Sequence, residues 1–392
     1  MGQSRDSGDS EKEVNYENHR PVSSCHGRRF RSGRRTPMSA VTDEANAGTT
    51  SVREEYRLDE QALGQWMQQH VRDFQGPLHV EQFKGGQSNP TYKLNTPKLS
   101  YVLRRKPPGP LLPGAHDVER EARVLKVLGG VGFPVAHIHA VCADPSILGS
   151  SFFVMQMVEG RIFWDASFPQ VAREERPAYF DAMNSTLATL HRIDYADLGL
   201  SDFGRPGNYF ARQIARWSKQ YVQDSDAGRD ENMDQLLEWL PANIPDDDQT
   251  SIAHGDFRCD NMIFHPREPR ILAVLDWELS TLGHPLADFA YHAIMYRMPP
   301  SIVAGLQGVD LNAMNIPTES DYLAAYCART GRSSIPAYDF YIAFNFFRLA
   351  AIFHGIRGRV LRGTAASTHA KERAASFPVL ARLARESMEA FR

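Results

Sequence analysis

The sequence predicts an α+β fold in two parts, a small antiparallel sheet followed by a mostly helical region. Between residues 78 and 158, four segments have the alternation or the apolar run of β-strands. Beyond Gly160, apolar residues recur with helical spacing in six segments. Residues 252–278 interrupt these helices with two short apolar strands and several acidic and amide side chains. Strands and helices are thus segregated along the chain, which is typical of an α+β protein.

The first part is expected to form two strands around a glycine loop, then a third strand, a helix and a fourth strand. Gly85-Gly86 separates the first two strands, and Pro107-Pro108 ends the third because proline cannot donate to the ladder. The strands are predicted over residues 78–83, 91–94, 101–105 and 152–158, and the helices over residues 58–71 and 118–128.

The second part is expected to be helical on both sides of the 252–278 segment. Helices are predicted over residues 176–193, 209–223, 233–240, 286–296, 321–330 and 338–361. We therefore divide the chain into a tail over residues 1–52, a sheet lobe over residues 53–158 and a helical lobe over residues 159–392.

Residues 1–52 are predicted to be a disordered, arginine-rich tail. They contain much Ser, Gly and Arg and almost no apolar periodicity, so they cannot bury enough surface to offset the entropy of ordering. A targeting peptide is the weaker interpretation, because several acidic residues precede the arginines. Whether residues 1–37 are translated stays open, since Met38 is a second candidate start.

Charge and composition disfavour some classes of partner and location. The formal net charge of −3 gives no electrostatic reason to expect nucleic acid as a partner. No apolar run reaches the roughly 18 to 20 residues of a membrane helix, so no membrane partner is expected. The four cysteines are scattered, which favours reduced thiols and a cytoplasmic location over an organelle. The oligomeric state stays open, with a homodimer among the options.

The segment from His254 to Glu278 carries the side chains that phosphoryl transfer from ATP requires. Asp256 and Asn261 are separated by four residues, and Asp276 follows at the end of the next strand. In ATP-dependent kinases, one aspartate orients the acceptor hydroxyl, while an asparagine and a second aspartate hold Mg²⁺. The sequence therefore predicts Asp256 as the catalytic base and Asn261 and Asp276 as the metal ligands.

His254-Gly255-Asp256, Asn261 and Asp276-Trp277-Glu278 resemble the signature of the aminoglycoside phosphotransferase and choline kinase superfamily. The branch that the chain resembles most is the one whose kinase-like domain is fused to acyl-CoA dehydrogenases, as segments 85–92, 103–109 and 279–288 also indicate. The resemblance implies a protein-kinase-like fold of two lobes, with ATP and Mg²⁺ as cofactors.

The sheet lobe is expected to hold the phosphates of the nucleotide. Glycine permits a close approach of backbone N–H groups, so the loop after the first strand is the predicted phosphate loop. Arg104 would contact the phosphates, with Arg105 or Lys106 as alternatives, and Glu121 rather than Glu119 is its predicted partner. The members of the phosphate loop are Gly85, Gly86, Gln87, Ser88 and Asn89.

The resemblance also implies an adenine site. Val102 shares a strand face with Arg104 and would cover the adenine ring. Backbone groups of Gln156 and Met157, at the connection between the lobes, would bind the edge of that ring.

Other polar residues near the catalytic segment have less certain roles. His254 is predicted to be structural and to bond backbone groups. For Asp260, a supporting and a direct role stay open, and for Glu278 a metal or substrate contact competes with a structural hydrogen bond. Asp288 is predicted to cap the next helix and, by resemblance, to brace the catalytic loop.

Three arginines, two on the helix over residues 338–361 and one directly after it, suggest an acceptor site. Arg348, Arg359 and Arg362 fall on one side of the helical wheel. A buried basic stripe needs anionic partners, which are either the protein's own carboxylates or an acidic acceptor.

We therefore predict a Mg-ATP-dependent phosphotransferase that acts on a hydroxyl of an anionic or neutral small molecule. The resemblance suggests a hydroxy acid or a hydroxyacyl-CoA. Two alternatives remain: a catalytically weak nucleotide-binding regulator, suggested by Arg104 in place of lysine, and an aminoglycoside or amino-alcohol kinase. A protein kinase is disfavoured because the chain has no HRD, DFG or APE tripeptide in the expected places. The identity of the acceptor and the choice between ATP and GTP stay open.

Overall fold

The computed structural model describes residues 48–84, 89–107, 117–302, 305–365 and 369–391. Most of the predicted tail and part of the predicted phosphate loop, Gly85 to Ser88, lie outside the described residues. Within the described part, no helix is both long enough and apolar enough to cross a membrane.

Six strands form the sheet of the first lobe: β1 (Thr49–Thr50), β2 (His79–Phe83), β3 (Thr91–Asn95), β4 (Ser100–Arg105), β5 (Ile138–Cys142) and β6 (Phe152–Gln156). Their order is β1-β2-β3-β4-β6-β5, and every neighbouring pair is antiparallel. Thr49 pairs with Phe83, so the predicted tail over residues 1–52 extends too far at its C-terminal end. β-branched threonines suit an edge strand, which explains the difference.

Two helices cover the two faces of this sheet. Helix α1 (Glu60–His70) packs Leu63 and Trp66 against the face that carries Leu103. Helix α2 (Val118–Gly130) packs against the other face, which carries Phe153. Since Arg104 is paired with Phe153 across β4 and β6, Arg104 lies on the α2 face, which is turned to the second lobe.

Strand β5 and the short helix α3 (Pro145–Leu148) were not predicted from the sequence. The register between β5 and β6 shifts between Ile138 and Ala140, and residues 139–141 are only partly buried or exposed. The bulge removes the period of two that identifies a strand in a sequence.

The second lobe is mostly helical, as predicted, and all described residues belong to one unit, Met38–Arg392. Its helices are α4 (Arg176–Arg192), α5 (Tyr209–Gln223), α6 (Glu231–Ala242), α7 (Pro285–Ala293), α8 (Leu311–Met314), α9 (Glu319–Thr330), α10 (Tyr338–Leu361) and α11 (Ala370–Ala390). The predicted spans of α5 and α10 agree with the structure. Helix α11 was missed; it contains Pro378, which in a sequence is a signal against a helix.

Four short strands place the catalytic segment between these helices: β7 (Ser251–Ala253), β8 (Met262–Phe264), β9 (Ile271–Val274) and β10 (Thr281–Gly283). β7 pairs with β10, and β8 pairs with β9. The catalytic loop, residues 254–261, connects β7 to β8, and Asp276 follows β9.

The connection between the lobes is fastened to β8. Arg161 and Phe264 exchange two backbone hydrogen bonds, both of 2.8 Å. The preceding residue, Gly160, has no room for a side chain, because an added Cβ would lie 2.3 Å from the Phe264 carbonyl oxygen. The connection therefore ends directly beside the strand that follows Asn261.

Candidate active site

Asp256 and Asn261 are brought together by a tight loop. Asn261 Nδ2 donates to Asp256 O at 2.9 Å and to Asp256 Oδ2 at 3.0 Å. With its Nδ2 engaged in this way, Asn261 directs its carbonyl oxygen elsewhere, as a metal ligand would. Leu275 N–H donates to Asn261 O at 2.8 Å, which places Asp276 beside Asn261. The three predicted catalytic residues are therefore neighbours in space.

His254 holds the inside of the catalytic loop, as predicted. Its Nε2 donates to Leu275 O at 2.8 Å, and its Nδ1 accepts from Asp256 N–H at 3.2 Å. The next residue, Gly255, has a φ of +84°, and a Cβ there would lie 2.9 Å from the Leu279 carbonyl oxygen. Glycine is thus required at this position on both conformational and steric grounds.

Helix α7 braces the loop through Asp288. Its two carboxylate oxygens accept from His254 N–H at 2.7 Å and from Gly255 N–H at 2.8 Å. The predicted bracing is therefore confirmed, but the predicted capping role is wrong, since α7 begins at Pro285 and its N-cap is His284. Burial raises the pKa of Asp288, but His191, His254 and the Gly255 N–H together outweigh burial, and the pKa lies below its usual range.

The Asp256 carboxylate has two further partners that the sequence did not indicate. Tyr291 donates its hydroxyl to Asp256 Oδ1 at 2.5 Å, and Arg258 Nε lies 3.2 Å from the same oxygen. Burial raises the pKa of Asp256, but Arg258 and Tyr291 outweigh burial, so the pKa lies below its usual range. Asp256 is therefore held as a carboxylate, the form that accepts a proton.

Arg258 is itself held by a second acid. Its Nη2 donates to Asp260 Oδ2 at 2.8 Å, so Asp260 supports the arginine next to the candidate base. Burial lowers the pKa of Arg258, but Asp260 and Asp256 raise it above its usual range. A permanent positive charge thus lies beside the candidate base.

Arg104 joins the sheet lobe to the catalytic segment. Its Nε lies 2.9 Å from Glu121 Oε2, which is the predicted pair, and its Nη2 lies 2.7 Å from Asp276 Oδ1 and 3.3 Å from Glu278 Oε2. Arg105 lies on the other face of β4 and donates to Ser150 Oγ at 2.9 Å. The structure therefore favours Arg104 over Arg105 as the predicted phosphate contact.

Three carboxylates around one guanidinium leave an excess of negative charge. Burial raises the pKa of Glu121 to about 7, and Arg104 only partly opposes this, since Asp276 and Glu278 raise it further. This cluster of Arg104, Glu121, Asp276 and Glu278 can accept a further cation.

Asp276 has the backbone strain that is common at functional sites. Its φ of 63° and ψ of 65° are left-handed, which a residue with a side chain rarely adopts. Its carboxylate and the Asn261 carbonyl oxygen are hard ligands of the kind Mg²⁺ prefers. The described residues offer no group of three or more His, Cys, Asp or Glu that would hold a metal alone. A small number of protein ligands is sufficient for Mg²⁺, because the ion keeps several waters and binds substrate phosphates.

Glu278 and Asn89 connect the two lobes. Asn89 is almost fully buried and its Nδ2 donates to Glu278 Oε2 at 3.1 Å. Asn89 is the described member of the predicted phosphate loop, and this contact turns its amide towards the catalytic segment. The predicted structural hydrogen bond of Glu278 is therefore present, and its contact with metal or substrate stays a prediction.

The predicted adenine residues lie at the connection between the lobes. Val102 is buried and is paired with Met155. Gln156 N–H donates to His137 O at 2.8 Å, so this donor is engaged within the first lobe. A contact of Gln156 with adenine would therefore use its carbonyl oxygen, and this contact and that of the Met157 backbone stay predictions.

The predicted stripe of Arg348, Arg359 and Arg362 does not form one site. Arg348 donates to Gly255 O at 3.0 Å, whereas Arg362 binds Asp224 and Asp226 at 2.7 and 2.9 Å and Arg359 is exposed. Eleven residues of helix rise about 16 Å, so positions that coincide on a helical wheel lie far apart along the axis. Only Arg348 lies at the catalytic loop.

Two arginines of α5 accompany Arg348 instead. Burial and the charge of Asp288 raise the pKa of Tyr209, and Arg348, Arg212 and Arg216 oppose that rise. In the described structure these arginines have no salt bridge to a carboxylate; Arg348 and Arg212 bond backbone carbonyl groups. The sequence missed Arg212 and Arg216 because they belong to another helix.

Residues 79–344 match the family described as "Phosphotransferase enzyme family". The chain belongs to this family. It is 44% identical to acyl-CoA dehydrogenase family member 11 of Gallus gallus, over 83% of this chain and 43% of the relative. The chain spans less than half the length of these curated relatives. The predicted resemblance is confirmed.

Solved structures agree with this assignment. A protein from Ralstonia eutropha, provisionally described as an aminoglycoside phosphotransferase, is 47% identical, with a TM-score of 0.79 over 86% of this chain and all of that one. Choline kinase from Cryptosporidium parvum is 12% identical, with a TM-score of 0.57 over 85% of this chain and 97% of that one, and shares the fold alone. The predicted two-lobed α+β fold is confirmed.

Proposed function

We propose that this phosphotransferase family member transfers the γ-phosphoryl group of Mg-ATP to a hydroxyl of a small anionic or neutral molecule. The observation that carries the proposal is the grouping of Asp256, Asn261 and Asp276, with Arg104 reaching Asp276 from the other lobe. The order and spacing of these groups match the requirements of phosphoryl transfer, in which positioning and charge stabilisation supply most of the catalysis.

Each residue of the site has a role in this proposal. Asp256 would orient the acceptor hydroxyl and take its proton as the new O–P bond forms and the bond to the bridging oxygen of ADP breaks. Asn261 and Asp276 would hold Mg²⁺, which when bound neutralises phosphate charge. Arg104 and Arg258 would face the phosphate oxygens as permanent cations.

Positive charge beside the catalytic loop supports an anionic acceptor. Arg348 contacts Gly255, the neighbour of Asp256, and Arg212 and Arg216 lie near the same tyrosine as Arg348. A polycationic aminoglycoside would be repelled by such a group of arginines, whereas a carboxylate or phosphate would be attracted. The names of the curated relatives favour a hydroxy acid or a hydroxyacyl-CoA as the acceptor.

ADP release from Mg-ATP in the presence of pooled acceptors tests the proposal. The pool contains 3- and 4-hydroxy acids, their CoA esters, amino alcohols, sugars and aminoglycosides. We expect turnover with an anionic acceptor and a loss of roughly 10³-fold in kcat for Asp256→Ala, because the substitution removes a positioned base.

Two results would contradict the proposal. Efficient turnover of aminoglycosides would mean that the acceptor class is wrong. Tight binding of Mg-ATP without any product would instead favour the nucleotide-binding regulator, the alternative that Arg104 in place of lysine suggests.

A further inference from the structure

The candidate base is held by three side chains of different character. Asn261 Nδ2 donates to Asp256 Oδ2 at 3.0 Å, Tyr291 donates to Oδ1 at 2.5 Å, and Arg258 Nε lies 3.2 Å from Oδ1. A carboxylate has about four acceptor sites, so these partners fix its orientation and leave room for one more donor. An acceptor hydroxyl would be that donor.

Tyr291 cannot adjust its position freely. Its side chain is 8% exposed, and the guanidinium of Arg348 lies over its ring at 5.3 Å. Helix α7 is attached to the catalytic loop on both sides of Tyr291, through Asp288 and through His292, whose Nδ1 bonds Phe257 O at 3.0 Å. The tyrosine hydroxyl therefore meets Asp256 at a fixed point.

Tyr291 differs from the other two partners in what it would do when nucleotide binds. Arg258 carries a positive charge that phosphate oxygens attract, so it has a competing partner in the loaded site. The proposed metal ligand Asn261 would divide its amide between Mg²⁺, through the oxygen, and Asp256, through Nδ2. Tyr291 is neutral and lies on the side of Asp256 where Arg348 lies. It is the contact best placed to persist.

We propose that Tyr291 is a positioning residue, which holds the Asp256 carboxylate in the orientation that receives the acceptor hydroxyl. This inference rests on the proposed function and adds to it a residue that touches the base and not the phosphates. The guanidinium of Arg348 also lies over its ring, so one side chain contacts both the base and this arginine.

The test compares Tyr291→Phe with the wild type in the full chain. The substitution removes the hydroxyl and keeps the ring under Arg348. With Mg-ATP and the hydroxy acids and CoA esters of the pool, we expect kcat to fall about tenfold to a hundredfold, as a misplaced catalytic group would cause. Both KM values should stay within about twofold of the wild type, because no contact with either substrate is removed.

Tyr221→Phe is the matched control. Tyr221 is also buried in the same lobe and donates its hydroxyl to another carboxylate, Asp234 Oδ1, at 3.0 Å. It reports the cost of losing a buried tyrosine–aspartate hydrogen bond in which no predicted catalytic residue takes part. A kcat for Tyr291→Phe within twofold of the wild type, or an equal loss in Tyr221→Phe, would overturn the inference. A rise in kcat would also overturn it, since the hydroxyl would then occupy the place of the acceptor.

A crystal structure of Tyr291→Phe with Mg²⁺ and a non-hydrolysable ATP analogue separates this inference from the proposed function. We expect Asp256 to turn away from Asn261 or to occupy two rotamers. If the wild type transfers no phosphoryl group, the proposed function fails, and the rotamer alone decides the inference: an unchanged Asp256 would overturn it.

Discussion

At the scale of single residues, Arg104 is the centre of the site's electrostatics. Lysine presents one compact charge, whereas the planar guanidinium presents donors in a fork. Here the guanidinium of Arg104 forms a salt bridge to Glu121 through Nε and to Asp276 and Glu278 through Nη2. One residue therefore neutralises carboxylates from α2 and from the catalytic segment at once.

Removing the charge of Arg104 should destabilise the protein in a pH-dependent way. We expect Arg104→Met to cost on the order of 3 to 5 kcal/mol of unfolding free energy at pH 7.5, because the buried carboxylate of Glu121 loses its counter-ion. The loss should be smaller at pH 5.5, where Glu121, whose pKa burial raises to about 7, can be protonated. Chemical denaturation at both pH values measures the difference.

Arg105→Met is the control for this prediction. Arg105 is buried on the same strand, but its side-chain partners, Ser150 and Tyr92, are neutral hydroxyl groups. Its cost should therefore be the same at the two pH values, and an equal pH dependence in both variants would mean that the carboxylates are not the cause.

Site residues that are recognised by their spacing within one segment could be predicted from the sequence. Residues from different helices that meet only in the fold could not. Asp256, Asn261 and Asp276 lie within one short segment with its own spacing rule. Tyr291 had a usable signal, since it lies one helical turn after Asp288 and so shares its face. The grouping of Arg348 with Arg212 and Arg216 had none, because it depends on how α10 packs on α5.

At the scale of elements, helix α7 is the support of the catalytic loop. Asp288 holds the backbone of His254 and Gly255, Tyr291 holds Asp256, and His292 holds the carbonyl of Phe257. The loop thus takes its shape from polar side chains of one buried helix. Its stability should depend on the protonation of those side chains.

His292 should make the protein less stable in acid. Burial lowers the pKa of His292 to about 4, whereas in the unfolded chain it titrates near 6.5. Between these values the unfolded chain binds a proton that the folded chain does not, so the unfolding free energy falls as the pH falls from about 6.5 towards 4. The contribution is on the order of 3 kcal/mol.

Denaturation series between pH 4.5 and 7 would measure this effect. His292→Gln should be less stable than the wild type at pH 7, since it disturbs the bonds to Phe257 and Tyr322, yet its stability should depend less on pH. An unchanged slope in His292→Gln would show that this histidine is not the cause.

Elements with a regular apolar pattern were predictable, and irregular ones were not. Helix α10, apolar over most of its length, matches its predicted span. Strand β5 was missed because of its bulge, and α11 because of Pro378, although Phe377, Leu380 and Ala384 form a helical stripe. Tertiary packing accommodates a local irregularity such as a bulge or a proline, but the irregularity removes the periodic pattern by which the element would be recognised in the sequence.

At the scale of the whole molecule, the site is completed by contacts between lobes that are distant in sequence. Arg104 and Asp276 are 172 residues apart, and Asn89 and Glu278 are 189 residues apart. The family resemblance predicted that the lobes face each other, but not which side chains meet. Nucleotide bound between them should stabilise both lobes together.

Binding of a non-hydrolysable ATP analogue with Mg²⁺ should raise the Tm of the protein. At a concentration of about 100 times Kd the gain is about 2.7 kcal/mol. Asp256→Ala should keep the rise, since this residue faces the acceptor, whereas Asp276→Ala should lose most of it. Thermal melts with and without EDTA check the role of the metal, and equal losses in both variants would contradict the assigned roles.

The fastening of Arg161 to Phe264 sets the length of the tether between the lobes. Strand β6 ends at Gln156, so only residues 157–160 are outside the two hydrogen-bonded elements. Five peptide units span at most about 17 Å when fully extended. The two lobes are therefore held within this distance on the side of the connection, and the proposed nucleotide would have to enter from the opposite side.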